Sequence, residues 1–153
     1  MNRHLLFIPA LVLCATTVGA QDPAAKKEVE AFVKDAIAFA KGNSREAFTN
    51  EVCRPSGRFN LKNTGRLYLT VYDDKGKVIG HGKKIAEVGS VQWDVKDQDG
   101  VFYIQDRIKL AKTKGGGWVE DTKINPETMK KSIKHVFVGY HDGMTICCGL
   151  YEK

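Results

Sequence analysis

The sequence predicts an α+β fold in which a long N-terminal helix packs on a five-stranded antiparallel sheet, with a short helix between strands two and three. Apolar residues recur at three- and four-residue spacing over 23–41, which is typical of a helix with one buried face. Further along, short turn segments such as Asp73 to Gly76 separate runs rich in β-branched and aromatic residues. Turns this short join antiparallel neighbours, so repeated βαβ units are excluded.

Two helices open the predicted domain. Asp22 and Pro23 precede the first, because aspartate caps free amide groups and proline fits the first helical turn. Gly42 ends it, and Ser44 can cap a shorter helix that runs to about Val52. The elements predicted after these are strands at 67–72 and 77–81, a helix at 101–111, and strands at 118–124, 132–140 and 144–151.

The first residues have the layout of a secretory signal peptide. A short basic start is followed by an apolar run over 5–18 and by small residues up to Ala20. We therefore expect residues 1–20 to be removed. Residues 21–153 are then expected to form a single domain in the periplasm or outside the cell.

Composition argues against a membrane anchor and against a nucleic-acid partner. The apolar run is short for a bilayer span, and nothing after Ala20 approaches the ~20 apolar residues that a span needs. The formal net charge is +6, but the lysines are interleaved with acids and form no basic stripe. We interpret this charge as a solvated basic surface that weakly favours anionic partners.

The predicted mature chain keeps the cysteines Cys53, Cys147 and Cys148. In an oxidising compartment thiols tend to pair, so one disulfide with one thiol left over is the simplest arrangement. Adjacent strand residues point to opposite faces, so only one of Cys147 and Cys148 can face Cys53, and the sequence leaves open which. A Cys147–Cys148 bridge would strain the peptide, and the Cys-x-x-Cys spacing of redox enzymes is absent.

Enzyme and metal signatures are absent from the sequence. Asp97-x-Asp99-Gly100 begins like a calcium loop but lacks the closing glutamate. The histidines and cysteines have no zinc spacing, and the hydrolase, phosphate-loop and metalloprotease motifs are missing. We expect no catalytic residue, no metal and no cofactor, and interpret the chain as a binding protein.

Short motifs follow one another in a fixed order along most of residues 27–153. They are Gly57-Arg58-Phe59, Leu67-Tyr68, Tyr72-Asp73, Gly76, Val78-Ile79-Gly80-His81, Val88-Gly89, Asp97-x-Asp99-Gly100, Gly117-Trp118-Val119, Asn125-Pro126, Lys131-Ser132 and Gly149-Leu150-Tyr151. This succession resembles the single Cache domains of the second type. The resemblance implies a PAS-like sheet behind the long helix. It also implies an extracytoplasmic, sensory-type module that binds a small organic acid, amino acid or similar metabolite.

The resemblance and the side-chain chemistry together suggest a ligand-binding set. A small carboxylate needs a cation or amide donors within an otherwise apolar cavity. The candidate polar groups are Arg58, His81 and Lys131, and the candidate walls are Phe59, Tyr68, Tyr72 and Trp118. Core packing is the alternative for the aromatic residues, and a solvated lysine-rich face is the alternative for Lys131. If Lys131 binds the ligand, Lys131→Ala should abolish ligand-induced stabilisation.

Two functions stay open from the sequence. The first is an exported module that captures a small metabolite and delivers it to a membrane receptor or transporter. The second is an envelope interaction protein whose pocket has filled in and which binds a protein partner. The sequence also leaves open whether the N-terminal helix mediates a homodimer, as it does in many sensory relatives.

Overall fold

The computed structural model describes residues 22–152, so the predicted leader at 1–20 lies outside the described residues. The helices are α1 (Pro23–Lys41), α2 (Arg45–Cys53), α3 (Leu61–Thr64) and α4 (Tyr103–Lys114), with a 3-10 turn at Ile85–Glu87. The strands are β1 (Thr70–Asp73), β2 (Val78–His81), β3 (Gly116–Ile124), β4 (Lys131–His141) and β5 (Met144–Tyr151). Within 22–152, none of the helices has the length and hydropathy of a membrane span.

The long helix α1 has the bounds that its sequence predicts. The Asp22 side chain accepts a hydrogen bond of 2.9 Å from the amide of Ala24, and Pro23 occupies the first turn. Its buried residues are Val29, Val33, Ala36 and Ala40. These are three or four positions apart, so they form one stripe along the helix.

The strands form one antiparallel sheet in the order β2-β1-β5-β4-β3, which confirms the predicted fold class. The last strand of the chain, β5, pairs with both β1 and β4 and therefore lies at the centre of the sheet. β1 begins at Thr70, later than predicted, because the Leu69 amide donates to the Phe59 carbonyl instead of to a strand. That loop also contains α3, a helix that the sequence pattern did not predict.

Alternation along the strands divides the core into two layers. We call the side of the sheet that meets α1 the helix face and the opposite side the α4 face. Buried on the helix face, with α1 and α2, are Val29, Val33, Ala36, Ala40, Phe48, Val52, Phe59, Leu67, Leu69, Val71, Met144, Ile146 and Cys148. Buried on the α4 face are Tyr72, Val78, Ile104, Ile108, Ala111, Val136, Val138 and Cys147. The predicted division, with the long helix on one face and the short helix on the other, is confirmed.

Candidate functional site

Polar side chains gather at one end of the α4 face. The strand register places Asp121 of β3 opposite Lys134 of β4, and Lys134 opposite Tyr151 of β5. These side chains therefore stand beside one another on adjacent strands, and we call the three together the ladder. Lys123 is two residues beyond Asp121 on the same strand, so it shares this face.

Arg107 reaches the ladder from α4, where it belongs to the buried stripe of the helix. Its Nη2 atom donates a hydrogen bond of 2.6 Å to Asp121 Oδ1, and the two residues are only 5% and 3% exposed. Burial opposes the charge on Arg107, but the Asp121 carboxylate holds the pKa of that guanidinium above its usual value. The pair links α4 to the outermost strand of the sheet.

Lys134 and Lys123 are two further cations at the site, and neither has an acidic ion-pair partner within residues 22–152. Lys134 Nζ lies 5.8 Å from the Tyr68 ring centre and 5.2 Å from the Tyr151 ring centre. Lys123 Nζ lies 3.3 Å from the centre of the Tyr103 ring. Burial lowers the pKa of both lysines to about 8, because desolvation disfavours an ammonium group.

His81 and Tyr68 form a wall beside the lysines, with their rings stacked at 5.4 Å. The backbone amides of Lys83 and Lys84 donate to His81 Nδ1 over 3.1 and 3.0 Å, so the neutral ring carries its proton on Nε2. That atom lies 3.7 Å from Glu87 Oε2. Burial lowers the pKa of His81 to about 4, so the ring adds no charge at neutral pH.

Three of the seven residues predicted to bind ligand are on or beside this face, namely Tyr68, Tyr72 and His81. Tyr72 is buried, and its hydroxyl donates to Gln92 Oε1 at the hydrogen-bond limit of 3.5 Å. Burial raises the pKa of the Tyr72 hydroxyl far above its usual value, so it stays protonated. The structure therefore brings these three side chains towards the ladder.

Arg58, Phe59 and Trp118 are not brought to the α4 face. Arg58 is exposed and binds both carboxylate oxygens of Asp35 on α1 at 2.9 Å. Phe59 is fully buried in the core beneath α1. Trp118 lies on the helix face, where its indole Nε1 donates a hydrogen bond of 2.8 Å to Glu30 of α1.

Lys131 is not part of the ladder either; it is the first residue of β4, three residues before Lys134. It is exposed, forms an ion pair with Asp99, and borders an open depression of about 550 Å³. Glu152, also in that depression, contacts His135 Nε2 at 2.9 Å. Because Lys131 is already paired with Asp99 and Glu152 adds a second negative charge, this depression favours an incoming carboxylate less than the ladder does, and we place the candidate site at the ladder.

A second depression, of about 340 Å³, lies between α1 and the segment after α3. Phe32 and Leu67 form its apolar part, and its charged residues are again engaged in ion pairs. Arg66 pairs with Glu28, and Asp35 pairs with Arg58 outside the depression. This groove therefore offers an incoming charged group no unpaired ionic partner of its own.

The sequence analysis missed Arg107, Asp121, Lys123 and Lys134. One signal for Arg107 was present, since it falls three residues after Ile104 on the apolar stripe of a predicted helix. The other three lie on β3 and β4, but the sequence does not reveal which strands are neighbours or how they are in register. Only the register shows that Asp121 and Lys134 lie side by side.

The cysteines lie as strand alternation predicts, with Cys147 on the α4 face and Cys148 on the helix face. Cys53, Cys147 and Cys148 are free thiols in the structure, so a disulfide between Cys53 and one of the other two remains a prediction. Burial raises the pKa of Cys147 to about 11 and that of Cys148 to about 12. Neither thiol is therefore poised for redox chemistry at neutral pH.

Comparison with solved structures finds the same fold in bacterial sensors. A methyl-accepting chemotaxis protein from Vibrio parahaemolyticus RIMD 2210633 is 22% identical, with a TM-score of 0.66 over 84% of this chain and 88% of that chain. A Cache chemosensory domain, solved to explain carboxylic acid recognition, is also 22% identical, with a TM-score of 0.65 over 84% of this chain and 93% of that chain. The periplasmic sensor domain of a chemotaxis protein is 20% identical, with a TM-score of 0.61 over 84% and 90%.

A search of curated proteins finds no significant match. The sequence description of the family called Single Cache domain 2, however, matches residues 18–153. This match spans nearly the whole chain and includes every element of the sheet and the helices on both of its faces. The chain therefore belongs to the single Cache domain 2 family of sensory domains.

Proposed function

We propose that this protein is an exported binding module that captures a small carboxylate at the ladder. The observation that carries the proposal is Lys134, a partly buried cation between two tyrosine rings with no acidic ion-pair partner within residues 22–152. A desolvated ammonium group gains most when an anion binds it, because binding offsets the cost of burial. The lowered pKa of Lys134 expresses that cost.

The balance of charge at the site favours an anion. Arg107, Lys123 and Lys134 are cationic, whereas Asp121, bound to Arg107, is the one acid among residues 22–152 that forms an ion pair with any of them. The carboxylate of Glu87 is engaged mainly with Lys84, at 3.0 Å. A partly desolvated site with more cations than anions attracts a ligand of opposite sign.

Aromatic walls restrict the ligand to a small molecule. Tyr68, Tyr103 and Tyr151 surround the two lysines and supply apolar surface next to the cations. Such a combination of aromatic walls and a few converging polar groups is typical of small-molecule sites. One of the similar structures is of a Cache domain that recognises carboxylic acids, which supports the same ligand class here.

The protein is proposed to be exported and to deliver its ligand to a membrane protein. The leader pattern at 1–20 supports passage into the periplasm or the medium, where Cache domains sense their ligands. We propose that the loaded protein presents its ligand to a membrane receptor or transporter. The chain would act as a carrier or sensor and not as an enzyme.

The first experiment is a thermal-shift and calorimetry comparison of propanoate with propanamide, which has the same shape without the charge. A ligand that binds only the native state raises its melting temperature, so propanoate should shift Tm and propanamide should not. Lys134→Gln should weaken propanoate binding by about tenfold or more, the loss expected for one charge-assisted hydrogen bond. An equal response to both compounds would contradict an anion site.

Two lysine variants serve as controls. Lys109 is exposed on α4, so Lys109→Gln should leave binding unchanged. Lys131→Gln tests the depression at the end of β4, and loss of binding in that variant alone would move the site there. If no small acid, amino acid or amine binds at all, the chain is better explained as the protein-binding alternative with a filled pocket.

A further inference from the structure

Lys134 meets two conditions that make a lysine amine nucleophilic. Its side chain runs over Gly149 of β5, where a Cβ atom would lie 2.9 Å from Lys134 Cε, and its Nζ lies between the rings of Tyr68 and Tyr151. No acid within residues 22–152 forms an ion pair with it. An amine that is desolvated among aromatic groups and has other cations nearby loses its proton readily, and the neutral amine is the form that attacks an electrophile.

The charges around Lys134 also favour the neutral amine. Burial lowers the pKa of Lys134 to about 8, and the positive charges of Arg107 and Lys123 add to this effect, whereas Asp121 opposes it. About a tenth of the Lys134 side chains are therefore uncharged at pH 7, against less than about a thousandth for an ordinary lysine.

Carbon dioxide is an electrophile that fits these surroundings. It is small and uncharged, so it can reach a half-buried amine without losing a charged hydration shell. The lone pair of the neutral Nζ attacks the carbon atom, a C–N bond forms, one C=O electron pair moves onto oxygen, and the nitrogen releases one proton to water. The product is a carbamate, so a cationic side chain becomes an anionic one.

The positive charges that disfavour the ammonium form stabilise the carbamate. Besides Arg107 and Lys123, the ammonium group of Lys83 lies 5.8 Å from the centre of the Tyr68 ring, which Lys134 also approaches. An aldehyde would instead give a protonated imine, which stays cationic and gains nothing from these neighbours. We propose that Lys134 is a site of reversible carbamate formation, at which the protein binds carbon dioxide covalently.

This reaction goes beyond the proposed function, because it uses the same lysine with a different ligand. A carboxylate binds the ammonium form of Lys134, whereas carbon dioxide consumes the neutral amine, so saturating propanoate should reduce carbamate formation. Carbamate formation in a protein that does not bind propanoate would remove the proposed function and leave the carbamate site standing.

The test is ¹³C NMR of the purified wild-type protein in ¹³C-labelled bicarbonate, which supplies dissolved carbon dioxide. Triethyloxonium then traps the carbamate as an ester, and peptide mapping by mass spectrometry locates it. Trapped Lys134 should exceed every other lysine by about tenfold or more, because a much larger fraction of it is neutral. Even labelling of all the lysines, or a carbamate confined to the N-terminal amine, would overturn the inference.

Two arginine variants provide a second readout. Lys134→Arg should lose the carbamate signal assigned to this side chain, because a guanidinium stays charged and does not attack carbon dioxide. Lys109→Arg, at an exposed position of α4, is the matched control and should keep the signal. Circular dichroism melting shows whether Lys134→Arg folds, and the wild-type peptide map decides the question even if it does not. An undiminished carbamate signal in folded Lys134→Arg would also overturn the inference.

Discussion

At the scale of single residues, desolvation distinguishes the lysines that can bind from those that only solvate the surface. Lys131 is exposed and ion-paired, so an incoming carboxylate would have to compete with Asp99 and with water. Lys134, three residues later, has lost much of its water and has gained no acidic partner among the described residues 22–152. The same residue type therefore has different chemistry at the two positions.

This difference predicts a pH dependence of binding. Because burial lowers the pKa of Lys134 and Lys123 to about 8, both lysines lose their charge as the pH rises past that value. A bound carboxylate favours the charged form, so affinity should be full below pH 8 and should fall above it. Calorimetry with propanoate on both sides of this pH measures the trend.

The control for this pH dependence is Lys134→Arg, which stays charged throughout the range and should reduce the fall in affinity. Lys123 still titrates in that variant, so part of the decline should remain. An affinity that is constant or rises through this range in the wild type would contradict the assignment of the lysines to the site.

The sequence suggested part of the candidate site and missed its charged centre for a physical reason. Tyr68, Tyr72 and His81 lie in motifs that carry the Cache resemblance and that flank one strand pair, so the sequence could suggest them as candidates. Lys134 lies in a run with Lys130 and Lys131 that has the pattern of a solvated face. Its burial depends on tyrosines that are far away in sequence, and no local pattern encodes such contacts.

At the scale of secondary-structure elements, β5 makes room for the site by lacking a side chain at Gly149. A Cβ atom there would lie 2.8 Å from Val136 Cγ2 and 2.9 Å from Lys134 Cε, closer than packed atoms approach. The missing methyl group therefore leaves the space through which the Lys134 side chain runs. This glycine is required for packing and not for an unusual backbone conformation.

Gly149→Ala should displace Lys134 and weaken carboxylate binding, and should destabilise the fold by about 1–3 kcal/mol through overpacking. Urea unfolding and propanoate calorimetry measure the two effects. Gly42→Ala is the matched control, because a Cβ atom there would meet no atom closer than 3.8 Å. If Gly149→Ala proves as stable as Gly42→Ala and binds equally well, the site does not depend on this space.

Secondary-structure prediction succeeded where a periodic apolar pattern ran over many residues. It failed where tertiary contacts determine whether an element forms or where it begins. α1 is confirmed over its whole length, because its stripe of buried residues and its capping Asp22 are local signals. α3 has only one turn and buries none of its residues, so it leaves no periodic pattern in the sequence. The start of β1 depends on a hydrogen bond from Leu69 to the distant Phe59, which no propensity predicts.

At the scale of the whole molecule, the prediction of export rests on the sequence alone, because the leader at 1–20 lies outside the described residues. The chain should leave the cytoplasm and lose residues 1–20, because the leader has the basic, apolar and small-residue parts that the secretion machinery recognises. Expressed with its own leader in a bacterium, the protein should appear in the periplasmic extract or medium with an intact mass that begins at Gln21. Leu11→Arg interrupts the apolar run and should block processing. A soluble product that begins at Met1 would contradict export.

The strand β4 is shared by the candidate site and the long helix. Lys134 projects from one side of this strand, and on the other side α1 comes so close to Gly139 that a Cβ atom there would lie 2.5 Å from Ile37 Cδ1. Gly139 has no side chain, so Ile37 of α1 packs directly on the backbone of β4. Any larger residue at position 139 would push the long helix away from the strand that carries Lys134.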